Sequence, residues 1–176
     1  MQEFTIAVES IDSSGARSVF HAAVDELARR YGPGADDRYS MADELREPEG
    51  FFLVARAAAH LAGGVGLRPI ADPRQRFGEV KRLWVRPDLR RQGLAEALME
   101  AVLLEAKARG FLQVYLETGD RQPEAHALYQ KMGWTPVEAY PAPAPSHPGA
   151  FLFMKHLSSD AARPTLHPLS MKVPRA

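Results

Sequence analysis

The chain of 176 residues contains no cysteine. That excludes disulfides, thiolate metal sites and a cysteine nucleophile, and with them an acyl-enzyme carried on sulfur. An excess of charge of one sign is lacking too. Lys and Arg together number 22, as do Asp and Glu, so the formal net charge is +0. Nothing points to a global footprint for nucleic acid or an acidic membrane, and any anion site must be local. No apolar run reaches membrane-spanning length, and residues 1–5 show no basic region leading into an apolar stretch. The expectation is a cytoplasmic protein with neither membrane nor nucleic acid as partner. No internal repeat is visible. The six histidines fall at no metal-ligand spacing, so no metal is expected.

What is present is the composition of a globular domain, 45% hydrophobic and 25% charged. Phe4, Ile6 and Val8 alternate with polar or small neighbours, as in a half-buried strand. Asp12, Ser13 or Ser14 can cap a helix whose apolar stripe is Ala16, Val19, Phe20, Ala23, Val24 and Leu27, and Gly32-Pro33-Gly34 stops it. Ser40 with Asp43 reads as the capping box of a short helix ending near Arg46. Residues 51–56 and 61–67 form a hairpin. Gly63, Gly64 and Gly66 in its second run mark a bulge or a close approach of backbones. A turn at 72–75 leads into a strand that includes Glu79 to Val85. A helix then carries the stripe Ala95, Leu98, Val102 and Ala106 and stops at Gly110. Residues 111–117 form a buried strand, and strand–helix–strand in this order implies a right-handed crossover and a parallel pair. Pro123 opens a short helix with Ala125, Leu128, Tyr129 and Met132 on its apolar face, followed by strands at 134–137 and 150–154. Residues 1–157 are read as one domain. Residues 158–176 lose pattern and are expected to be an extended or disordered tail.

The turn Arg90-Arg91-Gln92-Gly93-Leu94-Ala95 stands where a helix begins. The first helical turn has backbone N–H groups without intrahelical partners, and the helix dipole adds partial positive charge, so the place suits an anion, above all a phosphate. It lacks the second glycine and Lys-Ser/Thr of a Walker loop and the three glycines of a dinucleotide site.

The run Val85-Arg86-Pro87-Asp88-Leu89-Arg90-Arg91-Gln92-Gly93-Leu94-Ala95 resembles the acyl-CoA-binding motif of the GNAT superfamily of N-acetyltransferases: Arg or Gln, two residues, Gly, one residue, then Gly or Ala. Arg90, Gly93 and Ala95 fill the defining positions. Downstream, Ala125-His126-Ala127-Leu128-Tyr129-Gln130-Lys131-Met132-Gly133-Trp134 is similar to the family's second signature. The two stand in the family's order, and the resemblance covers residues 4–157.

The resemblance implies an α/β fold with a mixed, mostly antiparallel sheet, a splayed parallel pair and flanking helices. It implies an enzyme that passes the acetyl group of acetyl-CoA directly to a primary amine of a small molecule, peptide or protein. A homodimer is open to it. The diphosphate would be held by backbone N–H groups of Arg91, Gln92, Gly93, Leu94 and Ala95 and by the charges of Arg90 and Arg91. The pantetheine arm would lie along Leu83, Trp84 and Val85, with an N–H near Trp84 facing the thioester oxygen. Thr118, Gly119 and Gln122 would line the arm's path. Tyr129 would be the general acid for the leaving thiolate and Glu79 the general base for the amine.

Plainer readings stand beside these. By spacing alone Tyr129 reads as a core residue. Glu79 shares a strand face with Lys81, Leu83 and Val85 and can simply pair with Lys81 or with an arginine across the strand. Gln122 can merely open its helix, and His126 can be a surface residue. A silent acyl-CoA-binding module and a transferase of longer acyl groups also remain open. The acceptor would be walled by residues 31–39, the short helix from Ser40 and residues 140–148. One departure from the motif stands out: Arg91 occupies a place where glycine is common, and an arginine there is strained if φ is positive.

Overall fold

The computed structural model describes residues 2–32, 39–70, 75–141, 149–157 and 169–173. Most of the turn expected at 72–75, of the acceptor wall expected at 31–39 and of the proline-rich stretch at 140–148 lies outside them.

The chain runs β1 (Gln2–Glu9), α1 (Ser14–Tyr31), a 3-10 helix (Tyr39–Leu45), β2 (Phe51–Ala57), β3 (His60–Pro69), β4 (Phe77–Val85), α2 (Leu94–Ala108), β5 (Gln113–Thr118), α3 (Pro123–Lys131), β6 (Thr135–Val137), β7 (Phe151–His156) and β8 (Leu169–Val173). The short helix expected from Ser40 is thus a 3-10 helix. The strands form one sheet in the order β6-β7-β5-β4-β3-β2-β1-β8. β4 and β5 are parallel and the other pairs antiparallel, the arrangement the resemblance implied. Part of the segment expected to be a tail therefore belongs to the sheet. Residues 169–173 are extended and pair with β1, from Gln2 opposite Val173 to Ile6 opposite Leu169.

Local chemistry sets the helix starts. Ser13 caps α1: its Oγ accepts from the Ala16 N–H at 3.0 Å and donates to Glu9 at 3.0 Å. The stripe of α1 then lies under the sheet, with Ala16, Val19, Phe20 and Val24 packed against Phe52 and Val54. On the other face α2 buries Leu94, Leu98, Met99, Val102 and Ala106 against Phe4, Leu53, Val65, Leu67 and Val114. Tyr129 of α3, Trp134 and Phe153 join that same layer. The sheet is thus covered by α1 on one face and by α2 and α3 on the other.

Two irregularities shape the middle of the sheet. The first is at the β3 glycines: a Cβ on Gly63 would stand 2.5 Å from the Trp84 carbonyl oxygen, and one on Gly64 would stand 2.6 Å from that of Leu53. This is the close backbone approach expected there, and the β3–β4 register slips beside it. Gly64 faces Trp84 while Gly66 faces Lys81, so β4 carries an extra residue, and Arg82 in that bulge has φ +59°. The bulge breaks the alternation of β4. Leu83 and Val85 pack on the α2 face, whereas Glu79 bonds to Lys81 and Trp84 packs with the α1 layer. The expectation that Glu79, Lys81, Leu83 and Val85 share one face fails for that reason. The second irregularity is the parallel pair, whose register runs only from Phe77 opposite Gln113 to Val80 opposite Leu116. Beyond that point β4 and β5 diverge.

Candidate active site

The divergence of β4 and β5 opens a cleft of about 870 Å³, within the range of small-molecule sites. Its floor is β4 past Val80, whose edge toward β5 has no strand partner there among the described residues. Backbone N–H and C=O groups along that edge are available to an extended ligand, as in strand addition.

At one end of the cleft is the turn before α2. A 3-10 turn over Pro87–Leu89 is followed by Arg90 in extended conformation, Arg91 at φ +59° and Gly93 at φ +84°. Gly93 caps α2 without a side chain, so the first N–H groups of the helix point outward unblocked. Arg91 does hold the left-handed conformation that its sequence position suggested, at a cost glycine would not incur. Its side chain is exposed and has no partner among the described residues. Arg90 differs: its Nε donates to the Val85 carbonyl at 2.9 Å and its Nη2 to Glu26 of α1 at 2.5 Å. Glu26 also accepts from the Trp84 indole at 3.1 Å.

The fold brings most of the sequence-derived site residues to this one cleft. Leu83, Trp84, Val85, Arg90, Arg91, Gly93, Leu94, Ala95, Thr118, Gly119, Gln122 and Tyr129 line it, whereas Gln92 and Glu79 do not. The Gln92 amide donates to the Asp88 carbonyl at 3.2 Å. Gln122 precedes α3 and turns its amide oxygen back to accept from Thr118 Oγ1 at 3.3 Å and the Gly119 N–H at 3.4 Å, which fits the helix-opening reading. His126 is not a plain surface residue. Its ring sits edge-on to Phe151 and Phe153, with centroids at 4.4 and 5.1 Å.

Tyr129 is 6% exposed and its ring packs against Trp134 and Phe153. It is a core residue and a cleft residue at once. Burial first, and then the nearby Glu124 charge, push its phenol well above the ordinary tyrosine value. It therefore holds its proton throughout the physiological range.

Glu79 is 0% exposed. Its carboxylate takes the Arg68 guanidinium at 2.7 Å, the Lys81 ammonium at 2.6 Å and the Tyr140 hydroxyl at 3.0 Å. Burial alone would raise its pKa, but the Lys81 and Arg68 charges outweigh that and hold it below the ordinary carboxylate value. Lowered basicity, committed lone pairs and no place in the cleft wall all set it apart from a proton acceptor for substrate. The arginine across the strand and Lys81, the plainer partners expected from sequence, are the ones it has.

A carboxylate that sequence reasoning passed over does line the cleft. Glu117 is half-buried at the end of β5. Val114 and Leu116 pack in the layer of α2 and Tyr129, while Tyr115 joins Tyr140 on the opposite face. Alternation along β5 puts Glu117 on the Tyr115 face. The cleft thus has a phenol on one side of the sheet and a carboxylate on the other. The signal was available in that alternation, but a glutamate before Thr-Gly reads first as the end of a strand.

Among the described residues no helix is long and apolar enough to cross a membrane. The model of the Acetyltransferase (GNAT) family matches residues 18–134. Human N-acetyltransferase 8 is 40% identical over 92 residues, 51% of this chain, and the match spans only 40% of that protein's length. IAA acetyltransferase of Azospirillum brasilense is 36% identical over 115 residues, 63% of this chain and 73% of that protein. The solved structure of a GNAT family acetyltransferase from Elizabethkingia anophelis with acetyl-CoA bound superposes with a TM-score of 0.64 at 20% identity, covering 88% of this chain and 98% of that one. At that identity the likeness is one of fold.

Proposed function

The chain belongs to the GNAT family of acetyltransferases, and on that premise we propose that it transfers the acetyl group of acetyl-CoA directly to a primary amine. The backbone N–H groups of Arg91, Gly93, Leu94 and Ala95 take the diphosphate, with the exposed guanidinium of Arg91 adding charge. The edge of β4 at Leu83, Trp84 and Val85, which has no strand partner among the described residues on the β5 side, takes the pantetheine arm by main-chain hydrogen bonds. An N–H of that edge near Trp84 faces the thioester oxygen and stabilises the charge that grows on it.

The acceptor amine approaches from the α1 side. Glu117 takes its proton as nitrogen attacks the carbonyl carbon. The carbon–sulfur bond breaks, and Tyr129 on the opposite side gives its proton to the departing sulfur. The observation that carries this reading is the pair of proton-handling groups on opposite faces of the splay, both in the cleft wall. The entering nitrogen and the leaving sulfur are different atoms of the tetrahedral intermediate, and each needs a proton-handling group of its own within reach. The buried Glu79 cluster braces the bulged part of β4 instead of meeting the substrate.

The test is thiol release from acetyl-CoA with a panel of amines. Amine-dependent release, lost in Tyr129→Phe and in Glu117→Gln while CoA still binds, is the expected result. CoA binding without turnover on any amine would point to a silent binding module.

A further inference from the structure

Past Val80 and Leu116 the ladder no longer fixes how far β4 stands from β5. The last turns of α1 lie across that gap and are tied to both sides. Toward β4, Glu26 accepts from Arg90 at 2.5 Å and from the Trp84 indole at 3.1 Å. One helical turn on, Arg30 donates to Glu26 at 2.7 Å. Toward β5, the same guanidinium pairs with Glu124 in the first turn of α3 and donates to the Arg121 carbonyl at 2.8 Å. Arg121 returns the contact, its Nη1 donating to the Arg30 carbonyl at 2.7 Å and its backbone N–H to the Tyr31 hydroxyl at 2.9 Å. A Cβ on Gly119 would stand 2.3 Å from that hydroxyl, so Tyr31 is seated directly on the β5 side. A chain of alternating charge, Arg90–Glu26–Arg30–Glu124, therefore crosses the cleft from the turn before α2 to the start of α3.

This chain is not what holds α1 in place. Val19, Phe20 and Val24 do that, packed under the sheet in earlier turns of the helix. It also takes up most of the donor capacity of Arg90. Its Nε and Nη2 are committed to Val85 and Glu26, while the neighbouring Arg91 stays exposed.

We propose that Glu26 is a positioning residue for the pantetheine arm. Through the chain it sets the separation of the two sides of the cleft, and Arg90 serves the site as a strut through Glu26, not as a ligand of the diphosphate. This rests on the acyl-CoA reading of the cleft. It divides the two arginines of the motif by role: Arg91 acts on the diphosphate and Arg90 on the width of the groove.

The experiment titrates wild type, Glu26→Gln, Arg90→Gln, Arg91→Gln and the Glu26→Gln/Arg90→Gln double variant with two probes, acetyl-CoA and S-acetylpantetheine, which lacks the diphosphate. Glu26→Gln and Arg90→Gln should each weaken both probes by a similar factor, roughly tenfold, the size of one coupled side-chain interaction. The double variant should be no worse than either single one. Arg91→Gln should weaken acetyl-CoA alone. Arg90→Lys, which keeps a cation within reach of Glu26, should recover most of the acetylpantetheine affinity. Loss confined to acetyl-CoA in Arg90→Gln, or multiplying losses in the double variant, would overturn the proposal and leave the acyl-CoA reading intact. A Glu26→Gln protein that does not fold would also overturn it. Wild type that binds neither probe would overturn the acyl-CoA reading itself, and the proposal with it.

Discussion

Glu79 and Glu117 lie on one face of the same parallel pair but differ in their access to the cleft. Glu79 is sealed among Arg68, Lys81 and Tyr140, and Glu117 borders the cleft. Their substitutions should therefore separate. Glu79→Gln removes the buried carboxylate that pairs with the half-buried Arg68 and Lys81 and is expected to cost about 3 kcal/mol of stability, read from urea unfolding. Because the folded pKa of Glu79 is lowered, its contribution is fully present above the unfolded carboxylate value of 4.5 and is lost as pH falls through the lower folded value. The Gln variant should accordingly show a weaker fall in stability on acidification. Glu117→Gln should lower kcat by roughly a hundredfold or more, measured by thiol release. Tyr129 adds a prediction of its own. Its phenol is pushed up by burial and stays protonated, so kcat should show no falling alkaline limb up to about pH 10. Deprotonation of the acid within that range would appear as such a limb.

At the scale of elements, the turn before α2 trades strain for charge. Arg91 sits at φ +59°. Arg91→Gly should raise stability by up to about 1 kcal/mol, measured by thermal unfolding, while lowering CoA affinity and flattening its dependence on salt. This much was legible in the sequence, because the departure from the motif fell on a single backbone position. The helix caps and the α2 stripe were legible for the same local reason: Ser13 and Leu98 act through neighbours three or four residues away. The bulge at Arg82 was not. It arises from the register of β4 against the β3 glycines, a contact between strands, and it moved Leu83 and Val85 to the face opposite Glu79. The role of Glu26 was hidden for a similar cause, since its partners Arg90 and Trp84 are far away in sequence and meet it only across the splay.

For the molecule as a whole, the sheet gains its last edge from a segment that sequence patterning set apart. β8 alternates Leu169, Ser170, Met171, Lys172 and Val173, but it is short and follows a stretch rich in proline. Deleting residues 158–176 would bare the edge of β1. The expected result is a thermal midpoint lower by about 5 °C and a greater tendency to self-associate through the open edge, with turnover per folded molecule retained because the cleft lies at β4 and β5. In the proposed reaction the cleft holds donor and acceptor together, with the phenol on one side and the carboxylate on the other. Direct transfer in such a ternary complex is tested by initial velocities over a grid of acetyl-CoA and amine concentrations. Intersecting double-reciprocal lines are the expected result. Parallel lines, with a burst of thiol before any amine is added, would contradict it.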